Sequence, residues 1–286
     1  MKVTLEALRE KKAAKQPAVG VSCYTAPDAS LAAEAGVDFI VVGDSLAMTL
    51  LGFDSTLPAT MEMMELFVAA ARRGLTGEHT PLVVGDMPLG SYQPSDEIAV
   101  VNACRLVQAG ADIVKIEGSS DLICERIEAI TEAGVGVVAH LGLQPQQKAL
   151  VGGWKVQAKT AAEAEGLAEG VATVIECGAS VVLIEAVPAE AAAWIRENPD
   201  DGAPPTPIYG IGAGPGVDGQ LLVMSDLVGE FRAFKSRFAK RFGNVSREKA
   251  AALADYAMAV RAGSFPDSET SYAMDPVEAA KLEPWR

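Results

Sequence analysis

The chain has 286 residues, 49% of them hydrophobic and 22% charged, and its 24 basic against 38 acidic side chains leave a net charge of −14. That mixture excludes a disordered or collagen-like chain. The sign of its field is opposite to what nucleic acid or an anionic membrane attracts, so neither is an expected partner. Cys23, Cys104, Cys124 and Cys177 are widely spread, form no C-x-x-C pair, and read as reduced thiols of a cytoplasmic protein. The start of the chain, Met1 to Glu10, is charged and has no apolar core of a leader peptide. No apolar run approaches the ~18 residues needed to span a bilayer.

Short apolar runs alternate with Ala- and Glu-rich helical stretches along the chain. An amphipathic N-terminal helix is expected first, then a strand from Val19 to Tyr24 and a helix from Ala29 to Gly36. The strand Asp38 to Gly43 and the helix Met61 to Arg73 follow, with Gly74 as the stop signal. Strand Leu82 to Gly85, helix Asp96 to Ala109, strand Asp112 to Ile116 and helix Leu122 to Glu132 continue the alternation. Strand Val135 to Ala139, helix Ala161 to Glu176, strand Val181 to Ile184, helix Ala189 to Arg196 and strand Ile208 to Ile211 complete seven strands. Leu221 to Met224 supplies a candidate eighth strand. The runs lack polar alternation, as parallel strands covered on both faces do. About eight such units match a closed (β/α)8 barrel spanning residues 1–286 as one domain, with an open doubly wound sheet as the competing architecture. From Phe231 to Phe242 the chain is basic, and its phenylalanines 231, 234, 238 and 242 are spaced for an amphipathic helix with those rings on the core side. A sharper reading of the same stretch is a landing site for an anionic tail. The residues after Phe265 read as a C-terminal extension or a subunit contact.

In a parallel barrel the loops at the C-terminal ends of the strands converge on one face, so the residue that ends each apolar run carries information about chemistry. Five consecutive runs end in an ionisable group: Asp44, Asp86, Glu117 preceded by Lys115, His140, and Glu185. A single such acid is ordinarily a helix cap or a solvated turn. Four acids converging on one face repel one another unless a cation joins them. Asp44, Asp86 and Glu117 offer hard oxygen donors suited to Mg2+, which keeps positions for water and for a chelating 2-keto acid. Lys115, two residues before Glu117, shares its strand face and can hold a substrate carboxylate or enolate oxygen. Glu185 is a candidate base, and His140 is either a proton carrier or a structural histidine.

The motifs themselves are specific. Val42-Gly43-Asp44-Ser45-Leu46-Ala47-Met48-Thr49, Asp54 to Thr60, Arg72-Arg73-Gly74, Val114-Lys115-Ile116-Glu117-Gly118, His140 to Gln146, Gly152 to Gln157 and Gly210 to Gly214 stand in a fixed order. Together they resemble the 3-methyl-2-oxobutanoate hydroxymethyltransferase (ketopantoate hydroxymethyltransferase) family over most of the chain. The resemblance implies a (β/α)8 TIM barrel of the phosphoenolpyruvate/pyruvate-binding superfamily. It also implies a Mg2+-dependent, homo-oligomeric (decameric) transferase of pantothenate biosynthesis. Such an enzyme moves a hydroxymethyl group from 5,10-methylenetetrahydrofolate to 3-methyl-2-oxobutanoate through a metal-stabilised enolate. By the same resemblance Asp44, Asp86 and Glu117 bind metal, Ser45 with Asp44, Asp86 and Lys115 contacts the keto acid, Glu185 is the proton acceptor, and Lys115 and His140 assist. A related Mg2+-dependent lyase or mutase acting on another 2-keto acid is the alternative.

Three positions depart from the usual family pattern: Pro27 in Thr25-Ala26-Pro27-Asp28, Phe53, and Thr270. Gly43-Asp44-Ser45-Leu46 also spells the nucleophile block of a GDSL esterase, but the histidines, His79 and His140, stand in no D-x-x-H and leave the second half of the chain without a base. Gly214-x-Gly216-x-x-Gly219 formally fits a dinucleotide fingerprint, yet no βαβ unit follows it, and tight turning at the barrel mouth is the better reading.

Overall fold

Outside residues 151, 198–205, 234–235 and 283–286, the chain is described by a computed structural model. Helix α1 (Leu5–Ala13) is capped by Thr4, whose hydroxyl accepts from the Ala7 amide at 3.2 Å. Then follow β1 (Ala18–Ser22), α2 (Ala26–Glu34), β2 (Phe39–Val42), the single turn α3 (Leu46–Thr49) and α4 (Met61–Gly74). Next come β3 (Leu82–Asp86), α5 (Asp96–Ala109), β4 (Ile113–Glu117), α6 (Asp121–Glu132), β5 (Gly136–Gly142), α7 (Ala161–Glu176), β6 (Val181–Glu185), α8 (Ala189–Glu197) and β7 (Ile208–Ile211). The order ends with β8 (Gly219–Val223), α9 (Met224–Leu227), α10 (Val245–Arg261) and α11 (Pro276–Ala279). All eight strands are parallel neighbours, β8 pairs with β1, and the barrel is closed. The competing open sheet is thereby excluded.

Two apolar layers hold it. Inside the barrel, Phe39, Val41, Leu82, Val84, Ile113, Val138, Leu183, Tyr209 and Leu221 interdigitate, and Leu8 of α1 plugs the N-terminal end. Outside, alternate strand residues such as Ile40, Val83, Val114, Val137 and Val182 meet the inner faces of the helices. With one end plugged, the space for a ligand lies at the C-terminal end. Arg72 of the Arg-Arg-Gly motif is structural: its Nε donates to Gly110 O and its Nη2 to Asp112 Oδ2, both at 2.6 Å, tying α4 to the start of β4.

The helix ring is incomplete. α2, α4, α5, α6, α7 and α8 pack as successive neighbours, but β7 passes to β8 through residues 212–218 with no helix, and β8 is followed only by the four-residue α9. The expectation of a helix after every strand therefore fails at β7. Gly214 and Gly216, read as turn glycines, lie in this link, where a side chain at either would strike Ala189 or Ala193 of α8. Along the open side Val19 is 50% exposed and Gln220 is exposed. The amphipathic helix expected at 231–242 is absent as well: the described residues of that stretch form turns, and Phe242 is 68% exposed rather than in the core. Phe234 lies outside the described residues. The long helix comes later, as α10, and none of its seventeen residues is buried.

Gly20 faces the barrel interior, where a Cβ would sit 2.2 Å from the Phe39 ring. That ring stacks on Tyr209 with centroids 4.8 Å apart. Gly20→Ala is expected to cost about 1–3 kcal/mol by overpacking. A urea titration should show a lower midpoint at unchanged slope; an unchanged midpoint would mean that the stack yields freely.

Candidate active site

At the C-terminal end of the barrel lies a cavity of about 540 Å3. Asp44, Ser45, Asp86, Lys115, Glu117, His140 and Glu185 all line it. Each is delivered by the same local rule: the apolar strand runs out at the barrel rim, and the next inward-facing position carries a charge. Asp86, Glu117 and Glu185 are the last residues of their strands, Asp44 follows β2 by two residues, and His140 sits within β5. At Gly142 the backbone is left-handed (φ 80°), and a Cβ there would lie 2.5 Å from Glu185 O. Only glycine lets β5 and β6 stay this close beneath Glu185.

The charges are organised around Lys115. Its Nζ lies 2.8 Å from Asp86 Oδ1, an ion pair without hydrogen-bond alignment, and 3.3 Å from Glu117 Oε1. His140 stands between two acids, with Nδ1 3.3 Å from Glu117 Oε1 and Nε2 3.2 Å from Glu185 Oε2. Asp86 Oδ2 accepts from the Asp44 amide at 2.9 Å. Gln146 binds three partners at once: its side chain donates to Asp44 Oδ2 and to Met87 O, both at 3.0 Å, and its amide donates to Glu117 Oε2 at 3.0 Å. Tyr92 OH donates to Gln146 Oε1 at 2.8 Å and so fixes the orientation of that amide group. On the other wall Ser45 Oγ lies 2.9 Å from Tyr24 OH, and Thr49 Oγ1 donates to Tyr24 OH at 3.1 Å.

Burial raises the proton affinity of Asp44 well above the ordinary carboxylate range, and the adjacent Asp86 adds to it. Asp86 is raised for the same first reason, burial, with Lys115 working against it. Burial pushes Glu117 upward too, but the Lys115 charge and the His140 contact outweigh it and hold this carboxyl low. Burial opposes the Lys115 charge, yet Asp86, Glu117 and Asp44 keep it protonated. In His140, burial and Lys115 disfavour the proton, but Glu117 and Glu185 prevail and raise the imidazole to about 9. Asp44 and Asp86 are thus two buried acids short of positive charge, whereas Glu117 is already engaged by Lys115, His140 and the Gln146 amide. Among the described residues, no group of three or more His, Cys, Asp or Glu side chains is arranged to hold a metal ion by itself.

All seven expected residues meet in one cavity. Gln146, Tyr92, Tyr24 and Thr56 were not singled out by type or spacing. Thr56 is buried, lines the cavity, and its Oγ1 has no hydrogen-bond partner among the described residues. The signal available for Gln146 and Thr56 was their place inside family-like motifs. The departures fall elsewhere. Thr25 caps α2 by accepting from the Asp28 amide at 3.2 Å, with Pro27 in the first turn, where proline is tolerated. Thr270 bonds Asp267 in the exposed tail, and neither Phe53 nor Thr270 lines the cavity.

Comparison with known proteins yields a match of residues 2–268 to the family described as ketopantoate hydroxymethyltransferase. The chain is 42% identical over 272 residues to 3-methyl-2-oxobutanoate hydroxymethyltransferase of Alkaliphilus metalliredigens, covering 95% of this chain and 93% of that one. The enzyme of the same name from Moorella thermoacetica is also 42% identical, with 95% and 98% covered. Among solved structures, 2,3-dimethylmalate lyase, a PEP mutase/isocitrate lyase superfamily member, superposes with a TM-score of 0.59 at 15% identity, over 93% of this chain and 91% of that one. Phosphonopyruvate hydrolase in complex with oxalate and Mg++ gives 0.58 at 14% identity, over 93% and 92%. At these identities the two structures establish the shared barrel fold.

The charge on His140 has a pH signature. Its folded value of about 9 exceeds the ordinary 6.5. Its stabilising contribution is therefore complete below pH 6.5 and is lost as pH rises through about 9. In chelator-treated protein the thermal midpoint should fall across that window, and His140→Gln should flatten this limb. Parallel curves for the two proteins would remove the charged bridge.

Proposed function

The chain belongs to the ketopantoate hydroxymethyltransferase family, and on that premise we propose how its strand-end residues perform the transfer. The observation that carries the reading is the convergence of Asp44, Asp86, Lys115, Glu117, His140 and Glu185 on one cavity. The nucleophile, which accepts the one-carbon unit, is a 2-keto acid, 3-methyl-2-oxobutanoate, and the one-carbon donor is 5,10-methylenetetrahydrofolate.

The donor set fits a hard divalent cation. Asp44 and Asp86 face the cavity, are buried, and both have raised proton affinity, which an ion beside them would relieve. Mg2+ is commonly held by one or two carboxylates plus waters and substrate oxygens. Asp44 and Asp86 would hold it directly or through water, and Glu117, turned toward Lys115 and His140, would act through water. When bound, the ion withdraws electron density from the keto oxygen and acidifies the neighbouring C–H.

The remaining work is done by the chain. Ser45 Oγ, fixed by Tyr24, and Lys115 Nζ bind the carboxylate and keto oxygens and orient C3. Glu185 accepts the C3 proton on its carboxylate, where His140 Nε2 steadies the group. Negative charge developing on the keto oxygen faces Lys115 Nζ. The methylene carbon gains a bond to C3 and the hydroxyl of one water while both of its bonds to the folate nitrogens break. The C3 proton held by Glu185 passes to one nitrogen and the remaining proton of the water to the other. Leu143, Val156 and Phe231 give the cavity apolar walls, which limit access to the one water that the transfer consumes.

Assembly belongs to the same reading: the protein is a homo-oligomer, a decamer by family resemblance, working in the cytoplasm. Its exposed surface of 15112 Å2 exceeds the roughly 11,600 Å2 expected for a compact 29.8 kDa monomer. α10 and the tail expose Leu253, Tyr256, Met258 and Val277. The four cysteines are free, as in a reducing compartment. No helix among the described residues is long and apolar enough to cross a membrane.

Mg2+-dependent deuterium exchange at C3 of 3-methyl-2-oxobutanoate should occur without donor, and adding 5,10-methylenetetrahydrofolate should yield 2-dehydropantoate. Glu185→Gln should lower turnover by about 10²–10⁴-fold, and Asp44→Ala should abolish the Mg2+ dependence. Near-wild-type rates in both would remove these roles. Sedimentation should return a multiple of 29.8 kDa, and a monomer at working concentration would contradict the assembly.

A further inference from the structure

The cavity is much larger than a five-carbon acid needs, and its upper part differs in character from its floor. Around the mouth, Trp154, Lys155 and Val156 come from the segment after β5, and Phe231, Ser236, Arg237 and Phe238 from the segment after α9. Both aromatic rings are accessible, Trp154 at 42% and Phe238 at 38%. Other cations in these segments already have neighbours. Lys148 Nζ lies 4.8 Å over the Trp154 ring, Lys240 Nζ lies 5.1 Å over Phe242, and Arg241 Nη2 donates to Phe231 O at 3.0 Å. Lys155 Nζ and Arg237 have neither an ion pair nor a side-chain hydrogen bond among the described residues. On a chain of net charge −14, these are, among the described residues, two cations without a carboxylate partner in a lining that also carries Asp226 and Glu185.

We propose that this rim, where Lys155 and Arg237 line the cavity together with Trp154 and Phe238, binds the γ-linked glutamate tail of the folate donor and selects polyglutamylated over monoglutamylated forms. The inference rests on the function proposed above, which places the one-carbon end of the donor at the floor. A donor whose reactive carbon reaches C3 must leave the cavity through this mouth. Flat rings of the donor find aromatic faces there, and each further glutamate adds a carboxylate within reach of a cation. Such exposed pairs are individually weak and are screened by salt, so the selectivity is graded and ionic-strength dependent.

The test compares 5,10-methylenetetrahydrofolate carrying one and five glutamates, with saturating 3-methyl-2-oxobutanoate and Mg2+. At low salt the KM for the pentaglutamate should be about fivefold or more below that for the monoglutamate. The ratio should approach one in several hundred millimolar NaCl and in Lys155→Gln/Arg237→Gln, and Arg237→Glu should invert it. Equal KM values for the two donors in the unaltered protein at low salt, or a ratio that survives the double substitution, would overturn the rim assignment. Donor-free exchange at C3 separates the two levels. Exchange without a chain-length effect overturns the rim alone, and loss of both overturns the proposed function with it.

Discussion

One buried ammonium group organises the site. Lys115 Nζ lies within 3.3 Å of carboxylate oxygens from two strand ends, its own and that of β3, and it also neighbours His140. Removing a partner from such a cluster leaves an uncompensated buried charge, which costs about 3–5 kcal/mol. Here the charges do not fully balance: Glu117 is satisfied, while Asp44 and Asp86 carry raised proton affinity for want of a second cation. The fold therefore holds an arrangement that is unfavourable in isolation, and on the proposed reading a cation and a chelating acid would complete it.

The architecture was legible because most strands are apolar runs and most outer helices are preceded by Thr or Ser. Thr25, Thr60, Ser95 and Thr160 all cap their helices through the side chain. Several element ranges agree to the residue, such as Asp96–Ala109 and Ala161–Glu176. The charged positions of the site were legible only as a set, since one ionisable residue ending an apolar run is ordinarily a cap or turn, whereas five consecutive runs ending so converge on one face. Gln146 and Thr56 were not, because a neutral amide or hydroxyl becomes informative only once its partners, or lack of them, are known. The 231–242 stretch misled for a related reason. A periodicity of aromatic residues predicts a helix only where a complementary core face exists, and here the stretch borders a cavity instead.

The fold alone says little about the reaction. 2,3-Dimethylmalate lyase and phosphonopyruvate hydrolase share the barrel at 14–15% identity while carrying names of cleavage chemistry. What distinguishes this chain is which side chains stand at the strand ends, and its relatives of about 40% identity are named for hydroxymethyl transfer. Distance from floor to mouth divides the labour within one cavity. On the proposed reading, buried, rigidly bonded groups would face the small acid and surface segments the larger donor.

The gap in the helix ring has a thermodynamic corollary. β8 and β1 close the barrel by backbone pairing, yet the layer that should shield their outer side is not supplied by the sequence-adjacent segments. A wall finished by another molecule couples burial of that seam to mass action. For such a protein, dilution and heating act on the same equilibrium, and a melting temperature has meaning only beside the protein concentration at which it was recorded.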